Sequence, residues 1–447
     1  MVTQSFLRAY DIRGVIGDEL RLEDFLDFGR AVGTVAQGIV IVGRDARIHG
    51  EICERAFVSG VLEMGTDVSA LGITPIGMLS YAVEALNGDI GVMVGASHNP
   101  PEYNGLKFLG RRGKYSKELD ARIRKVFLEK NFKNVDWQNI GRLKRVDIRD
   151  EYVDFVASKA SPERSVSLAV DCKNGAVGVV LREILDRLGC NYIIINEEPN
   201  GLFPAGVPEP KPENLKDLMR IVREKGFDLG LAFDGDGDRV VLIDDRGRFV
   251  EPEKLAILFM HYLGKRGDKV VASIDSSHIL EEEAKKLGIE IVRTRVGHAY
   301  VVRAVWELGA IMGLERSGHM TIPSLREFDD GILLAAKIIE VKSKISEKLS
   351  AFLDKIPKLY ARSLVVKCPD DVKFDVIRKV REELEKKGLN VVTIDGVKVI
   401  YDEGWFLIRA SNTQPLIRIM VEARTEGGLK ELLEYAKCIL RKFYKWD

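Results

Sequence analysis

The fold of this chain is constrained most by a segment that occurs three times. Each copy consists of an acidic residue, Ile or Leu, Gly, a short apolar run, and a polar residue at the same offset. The copies are residues 89–97, 228–236 and 307–315. An apolar run of this length predicts a buried strand, and open parallel sheets bind their ligands at the carboxyl ends of such strands. The repeat therefore predicts three related α/β units, each with a polar loop at the end of a strand.

Short Val/Ile-rich runs alternate with longer amphipathic stretches through most of the chain. We predict strands over 39–42, 166–170, 192–195, 269–274 and 289–292, and helices over 214–225 and 280–287. Continuous apolar strands separated by helices are typical of parallel sheets that are covered on both faces. This alternation predicts the α/β class.

The pattern changes beyond residue 360. There we predict strands over 363–367, 391–394, 405–408 and 416–421, a helix over 374–387 and a final amphipathic helix. The whole pattern predicts three related α/β domains with mixed, mostly parallel sheets and a smaller C-terminal α+β domain, arranged around a central cleft. The predicted domains are residues 1–145, 146–250, 251–360 and 361–447.

Charge and cysteine content exclude several classes of protein. The chain has 68 basic and 68 acidic side chains, whereas nucleic-acid-binding and membrane-surface proteins usually carry a basic excess. Its five cysteines are scattered without a CxxC pair, which favours free thiols over disulfides or a zinc site. Neither a signal-peptide pattern nor an apolar run of the ~18 residues that span a membrane is present. We expect a cytoplasmic protein without nucleic-acid or membrane partners.

The strongest local signal is the run Asp234-Gly-Asp-Gly-Asp-Arg239. Three carboxylates at alternate positions can surround one hard cation. A calcium EF-hand is disfavoured because Arg239 stands where that loop needs Gly and Asp245 where it needs a bidentate Glu. Three protein carboxylates leave open positions, which suits Mg²⁺ bridging to a phosphate. A solvated acidic turn is the alternative, and repulsion among the carboxylates argues against it.

Ser97 lies in the loop Gly95-Ala-Ser-His-Asn-Pro100. A hydrolase nucleophile elbow would read GxSxG, and here Asn99 replaces the last glycine. Ser97 and Asp236 occupy equivalent positions in the repeat, so the serine lies beside the cation if the loops face one cleft. A phosphorylated Ser97 would then supply a further metal ligand. A structural loop serine is the alternative.

Three further groups are candidates for binding or proton transfer. Lys107 lies near the serine loop, where partial desolvation can lower the pKa of a lysine enough for proton exchange, unless it is an ordinary surface lysine. Glu315, Ser317 and His319 suit sugar hydroxyls or, alternatively, a helix-capping turn. The segment 409–415, with Arg418, predicts a phosphate-binding loop, with a solvated polar turn as the alternative.

A serine, a divalent cation, a hydroxyl-binding loop and a separate phosphate loop together indicate phosphoryl transfer on a small phosphorylated polyol or sugar. The pattern GxxxxGK[ST] is absent, so a nucleotide donor is not indicated.

These motifs resemble those of the α-D-phosphohexomutase family, in its phosphomannomutase/phosphoglucomutase branch. The matching segments span nearly the whole chain and are 10–14, 42–45, 96–100, 234–239, 313–319 and 409–415. The resemblance implies four domains and reversible phosphoryl transfer between hexose 1-phosphate and hexose 6-phosphate, with mannose or glucose as the hexose. It further implies one Mg²⁺ per chain, a phosphoserine and a hexose 1,6-bisphosphate intermediate that also acts as activator.

The resemblance also implies a role for individual residues. Ser97 matches the phosphoserine of the family. Ser97, Asp234, Asp236 and Asp238 together match its metal ligands. The catalytic set that we assign comprises Ser97, His98, Lys107 as general acid/base, and Arg13 and Arg239 beside the transferring phosphate. The substrate-binding set comprises Tyr10, His298, Glu315, Ser317, His319, Arg409, Ser411, Asn412, Thr413 and Arg418.

Several alternatives remain at this point. Phosphoglucosamine mutase is the nearest, although the opening pattern Gly-Thr-Asp-Gly-Ile-Arg-Gly of that branch is absent. A metal-dependent sugar phosphatase and a non-catalytic sugar-phosphate sensor would use similar loops. Two positions depart from the family pattern, namely Gly95, where many members have Thr, and Leu314, where members usually have Gly. The sequence does not distinguish a monomer from a homo-oligomer.

Overall fold

The computed structural model describes residues 6–7, 12–411 and 414–446. The chain divides into two compact units. The first unit consists of Met1–Glu251 and Gly318–Phe352, and the second of Pro252–Ser317 and Leu353–Asp447. The finer division into four domains stays a prediction.

The first sheet is built from the N-terminal part of the first unit. Its strands are β1 (Ile12–Val15), β2 (Val40–Arg44), β3 (Val68–Ile73), β4 (Ile90–Val94), β5 (Tyr103–Leu109) and β6 (Leu143–Arg145). The helices are α1 (Leu22–Val35), α2 (Gly50–Glu63), α3 (Ile76–Ala85) and α4 (Lys117–Glu129). The strand order is β1-β5-β4-β2-β3-β6. Strands β4, β2, β3 and β6 are parallel, and β5 runs antiparallel to both β4 and β1.

The second sheet also belongs to the first unit. Its strands are β7 (Ser167–Asp171), β8 (Asn191–Ile195), β9 (Leu229–Phe233), β10 (Val240–Asp244) and β11 (Phe249–Val250), and the helices of this part are α5 (Arg149–Ser158), α6 (Leu181–Arg187) and α7 (Lys216–Lys225). The order is β11-β10-β9-β7-β8. Strands β9, β7 and β8 are parallel, whereas β10 and β11 continue the sheet in antiparallel fashion.

The next elements belong mainly to the second unit. They are α8 (Pro252–Leu263), β12 (Lys269–Ser273), α9 (Ile279–Leu287), β13 (Glu290–Thr294), α10 (His298–Leu308), β14 (Met312–Leu314), β15 (Met320–Thr321), α11 (Gly331–Lys344) and α12 (Leu349–Leu353). Strand β12 pairs in parallel with β13 on one side and with β14 on the other. Strand β15 and helix α11 return to the first unit.

The C-terminal sheet is entirely antiparallel. Its strands are β16 (Tyr360–Lys367), β17 (Val391–Val392), β18 (Val397–Tyr401), β19 (Gly404–Ala410) and β20 (Leu416–Ala423), with helices α13 (Asp370–Lys386) and α14 (Glu426–Arg441). The order is β16-β20-β19-β18-β17. Apolar side chains from the strands and both helices form its core.

The three sequence repeats form equivalent strands. They contain β4, β9 and β14, and each of these pairs in parallel with an earlier strand of its own sheet, namely β2, β7 and β12. This arrangement confirms the predicted class of α/β units with mixed, mostly parallel sheets followed by an α+β portion. The polar loops that the repeat predicts therefore start at the carboxyl ends of β4, β9 and β14.

Two predictions about strands need correction. The strand predicted over 391–394 is only Val391–Val392, because the chain turns at Gly396, which has a φ of 83°. Strand β18 was not predicted, since Lys398 interrupts its apolar pattern. This lysine is nevertheless fully buried, where its Nζ donates to the Ile274 carbonyl at 2.8 Å and lies 3.7 Å from the centre of the Trp405 ring.

Two findings concern the composition-based expectations. All five cysteines carry free thiols. Among the described residues, no helix combines the length and the apolar character that a membrane crossing requires.

Candidate active site

Ser97 occupies a strained turn at the end of a buried strand. All five residues of β4 are buried, and Ser97 follows with a φ of 51° and only 2% of its surface exposed. A residue other than glycine in this left-handed region costs free energy and persists only where its surroundings enforce it. The hydroxyl Oγ donates to Asp234 Oδ2 at 2.8 Å and lies 3.3 Å from His98 Nδ1. The structure thus brings the serine loop and the aspartate loop together.

The aspartate loop is folded around the first of its three carboxylates. Oδ1 of Asp234 accepts the backbone N–H groups of Gly237 and Arg239 at 3.1 and 3.2 Å. Its Oδ2 accepts the Ser97 hydroxyl together with Nε and Nη2 of Arg239, at 3.1 and 2.9 Å. Gly235 permits the close approach to the serine loop, since a Cβ there would lie 2.4 Å from the Ser97 carbonyl oxygen.

The three aspartates have the geometry of a cation site. Asp234, Asp236 and Asp238 each offer an oxygen within 4.8 Å of the others. Asp236 Oδ1 and Asp238 Oδ1 are buried, and no described residue donates a hydrogen bond to either oxygen. Buried polar oxygens normally have a partner, and carboxylate oxygens are the ligands that Mg²⁺ prefers. Burial and the Asp238 carboxylate raise the pKa of Asp234, as expected for carboxylates crowded without a cation. These residues therefore fit Mg²⁺.

Lys107 lies on β5 directly beside the aspartate loop. The antiparallel register places it opposite Met93 of β4, and its Nζ donates to Asp236 Oδ2 at 2.8 Å and to Asp238 Oδ2 at 3.0 Å. Burial alone would lower the pKa of Lys107, but the two carboxylates outweigh it and raise that pKa above the usual range. The expectation of a lowered pKa is therefore wrong for this arrangement, in which the lysine neutralises two of the carboxylates.

The other catalytic candidates surround Ser97. Arg239 donates two hydrogen bonds to Asp234 Oδ2. Arg13 donates from Nη1 to Asn99 Oδ1 at 2.7 Å. Burial, with the positive charges of Arg239 and Arg13, lowers the pKa of His98 to about 2. His98 is consequently a neutral imidazole near Ser97, and its ring can exchange a hydrogen bond with the serine hydroxyl but carries no charge.

Asp45 supports the serine loop, and the sequence motifs predict no role for its side chain. It follows β2, and its Oδ2 accepts the N–H of Ala96 at 2.9 Å. A Cβ on Gly95 would lie 2.5 Å from the same oxygen. The departure from the family pattern at Gly95 thus matches the close packing of Asp45 against this backbone.

In the second unit, Glu315 follows β14 at the end of the third repeat. It is buried, and its Oε1 accepts the N–H of Gly297, the residue that precedes His298 and helix α10. Glu315 and His298 are therefore close in space, whereas Ser317 is exposed. Leu314 is fully buried and pairs with Ala272 of β12. It is therefore a residue of the strand and not of the polar loop that follows. His319 lies in the first unit, with Nδ1 3.5 Å from Asp329 Oδ2.

The predicted phosphate loop connects β19 and β20. Arg409 and Arg418 are directly opposite each other in the register of these strands. Like charges in such a pair repel, and a bound anion would offset that repulsion. Arg409 is 6% exposed and donates from Nε to Asp395 Oδ2 at 3.1 Å. Arg418 donates from Nη2 to Gln414 Oε1 at 3.2 Å.

A buried lysine that sequence patterns did not reveal holds this loop. Nζ of Lys373, on α13, donates to the carbonyls of Ser411 and Gln414 at 2.6 and 3.0 Å. A lysine in a Lys/Glu-rich helix normally indicates a solvated face, so no sequence signal separated it from its neighbours. The predicted site residues Tyr10, Asn412 and Thr413 lie outside the described residues.

Comparison with known proteins agrees with this geometry. Four domains described as phosphoglucomutase/phosphomannomutase, namely alpha/beta/alpha domains I, II and III and the C-terminal domain, match residues 4–134, 150–247, 251–360 and 340–436. The phosphoglucomutase/phosphomannomutase of Thermococcus kodakarensis is 37% identical over 98% of both chains. A probable phosphoglucosamine mutase of Methanopyrus kandleri is 38% identical over 96% of both.

A solved structure shows the same architecture. The phosphoglucomutase/phosphomannomutase family protein from Burkholderia thailandensis superposes with a TM-score of 0.89 and 29% identity, over 99% of this chain and 98% of that one. The chain therefore belongs to the phosphoglucomutase/phosphomannomutase family, the α-D-phosphohexomutases.

Proposed function

We propose that this phosphohexomutase interconverts the 1-phosphate and 6-phosphate of mannose or glucose through a phosphorylated Ser97. The observation that carries the proposal is the Ser97 hydroxyl, which lies 2.8 Å from a carboxylate of the three-aspartate cluster. A phosphoryl group on that hydroxyl would lie beside the cation site. Phosphoryl transfer depends mainly on such positioning and on neutralisation of charge.

The reaction that we propose has two transfers and conserves phosphate. In the first, the free sugar hydroxyl attacks the phosphorus and gives its proton to a base, the bond from Ser97 Oγ to phosphorus breaks, and Oγ takes up a proton. The product is a hexose 1,6-bisphosphate and an unmodified Ser97. In the second, Ser97 Oγ attacks the other phosphoryl group and gives its hydroxyl proton to a base, the bond from that phosphorus to the sugar oxygen breaks, and the sugar oxygen takes up a proton.

Residues of the first unit have distinct roles in these steps. Asp234, Asp236, Asp238 and an oxygen of Ser97 would hold Mg²⁺, which supplies positive charge to the transferring phosphoryl oxygens. Arg239 holds the Asp234 carboxylate by hydrogen bonds, and Arg239 and Arg13 together add positive charge near the serine. We keep Lys107 as the candidate acid/base because its Nζ donates to Asp236 and Asp238 and so lies beside the proposed cation site.

We assign sugar and phosphate recognition to the second unit. The Glu315 carboxylate can accept hydrogen bonds from sugar hydroxyls, with His298 and Ser317 as further polar groups. Arg409 and Arg418 form a pair of guanidinium groups for the phosphate that is not reacting, and Ser411 lies in the same loop. His319 of the first unit completes the substrate-binding candidates.

Phosphoglucosamine mutase is the second candidate function. Its support is the 38% identity to the Methanopyrus kandleri relative that carries this name. A phosphatase or a non-catalytic sensor finds less support, because the chain matches mutase domains from residue 4 to residue 436.

The first prediction concerns the phosphoryl carrier. Ser97→Ala removes the oxygen that we propose carries the phosphoryl group, so we expect mutase turnover to fall to background with the fold retained. Conversion of glucose 1-phosphate to glucose 6-phosphate measures turnover, and circular dichroism measures folding. Ser158→Ala, at an exposed serine, is the matched control and should keep full activity. Wild-type turnover in Ser97→Ala would disprove the proposed carrier.

The second prediction concerns the cation. Asp236→Asn replaces a carboxylate that has an unpartnered buried oxygen, so we expect the affinity for Mg²⁺ to fall about 10-fold or more. Calorimetric titration with Mg²⁺ and the Mg²⁺-induced rise in melting temperature measure it independently of turnover. Asp217→Asn, at a side chain that is 82% exposed, is the control. Unchanged Mg²⁺ affinity in Asp236→Asn would contradict the site.

The third prediction separates the two candidate functions. We expect kcat/KM for mannose 1-phosphate and glucose 1-phosphate to exceed that for glucosamine 1-phosphate by about 10-fold or more, measured with one enzyme preparation. The ratio of kcat/KM values reports differential binding of the transition states. A higher value for glucosamine 1-phosphate would assign the chain to the second function.

A further inference from the structure

Arg47 binds the backbone of the serine loop with its entire guanidinium group. The residue is 1% exposed. Nη2 donates to the carbonyls of Ser97 and Asn99 at 3.0 and 2.7 Å, and Nη1 donates to those of Pro100 and Tyr103, the latter at 2.9 Å. Nε donates to Asp45 Oδ2 at 3.0 Å. All five N–H groups of the side chain thus have an acceptor, and Asp45 balances its charge.

These contacts explain how the turn at Ser97 is maintained. The φ of 51° at Ser97 is unfavourable for a residue with a side chain, so neighbouring groups must enforce it. Arg47 fixes the peptide group on the carboxyl side of Ser97 and that of Asn99, and Asp45 fixes the N–H of Ala96 on the other side. A lysine could not reproduce this, because its ammonium is a single point and the guanidinium is a planar fork.

A segment that follows strand β8 of the second sheet packs against Arg47. The ring of Phe203 lies 5.3 Å from Arg47 Cζ and is 3% exposed. A Cβ on Gly201 would lie 2.2 Å from the backbone nitrogen of Ile48. The segment 201–205 therefore packs directly against the chain around Arg47.

The same segment is hydrogen-bonded to the residues that follow β7, the strand next to the one that leads into the aspartate loop. Lys173 follows β7 and donates from Nζ to the Ala205 carbonyl at 2.6 Å. Strand β7 pairs with β9, which leads into Asp234. Segment 201–205 and the aspartate loop are thus both connected to β7.

We propose that Arg47 is a positioning residue, which, held by segment 201–205, aligns Ser97 Oγ with Asp234 for phosphoryl transfer. This inference rests on the proposed role of Ser97. Because Arg47 is buried and its N–H groups are bound to protein acceptors, we assign it no contact with the substrate, and its effect is on the placement of the serine. Loss of alignment should therefore reduce the rate of phosphoryl transfer and leave the binding of sugar phosphate and Mg²⁺ intact.

The first test is Arg47→Lys, with Arg55→Lys at an exposed arginine as control. A misplacement of about 1 Å can reduce a rate by about 100-fold, so we expect kcat to fall between about 10-fold and 100-fold. KM for glucose 1-phosphate and the Kd for Mg²⁺ should stay within about twofold. A kcat within twofold of wild type, or a loss that matches the unfolded fraction seen by circular dichroism, would overturn the proposal.

The second test does not alter Arg47 and therefore applies even if Arg47→Lys fails to fold. Gly201→Ala inserts a methyl group against Ile48, and Gly427→Ala, where a Cβ meets nothing closer than 4.0 Å, is the control. The readout is the rate at which glucose 1,6-bisphosphate phosphorylates Ser97, followed by intact-protein mass. We expect a slowing of about fivefold or more in folded Gly201→Ala. A wild-type rate in that variant would overturn the proposal.

The reference for both tests is Ser97→Ala. If this variant is inactive while the Arg47 and Gly201 variants behave as wild type, the positioning role fails and the proposed function stands. If Ser97→Ala remains active, the proposed function itself fails.

Discussion

The hydrogen bond from Ser97 Oγ to Asp234 Oδ2 is the contact on which the rest of the site depends. It joins the loops after β4 and β9, two equivalent strands of two different sheets. The carboxylates of buried Asp234 and Asp236 and half-buried Asp238 meet there, and their repulsion is offset by Lys107 and Arg239. Oδ1 of Asp236 and Oδ1 of Asp238 receive no hydrogen bond from any described residue, and a divalent cation there would add the missing positive charge.

Much of this arrangement could be predicted from the sequence because it follows from local pattern. The repeat ends in Ser97, Asp236 and Glu315, and its strands are β4, β9 and β14, each parallel to a partner in its own sheet. The repeat puts Ser97 and Asp236 at equivalent positions, so their proximity could be predicted on the condition that the two loops face each other, and the hydrogen bond from Ser97 to Asp234 meets that condition. The pairing of Arg409 with Arg418 likewise follows from the two strands that flank their loop.

Three of the residues that escaped prediction share one physical property, which is that they are buried basic side chains. Arg47, Lys373 and Lys398 look like surface charges in the sequence, yet each is almost fully buried and donates to backbone carbonyls. Their partners are set by tertiary structure, so local periodicity carries no sign of them. The raised pKa of Lys107 was missed for the same reason, since it depends on two carboxylates more than a hundred residues away in the chain.

The central claim is that the phosphoryl group passes through Ser97 and returns to it. Rapid-quench single turnover of the phosphorylated enzyme with glucose 1-phosphate tests this claim most directly, with intact-protein mass and sugar bisphosphate followed in the same samples. We expect the phosphate on Ser97 to disappear at the rate at which glucose 1,6-bisphosphate forms, one for one, and then to reappear as glucose 6-phosphate is released. Formation of glucose 6-phosphate while Ser97 stays phosphorylated throughout, or loss of its phosphate to water, would rule out transfer through Ser97.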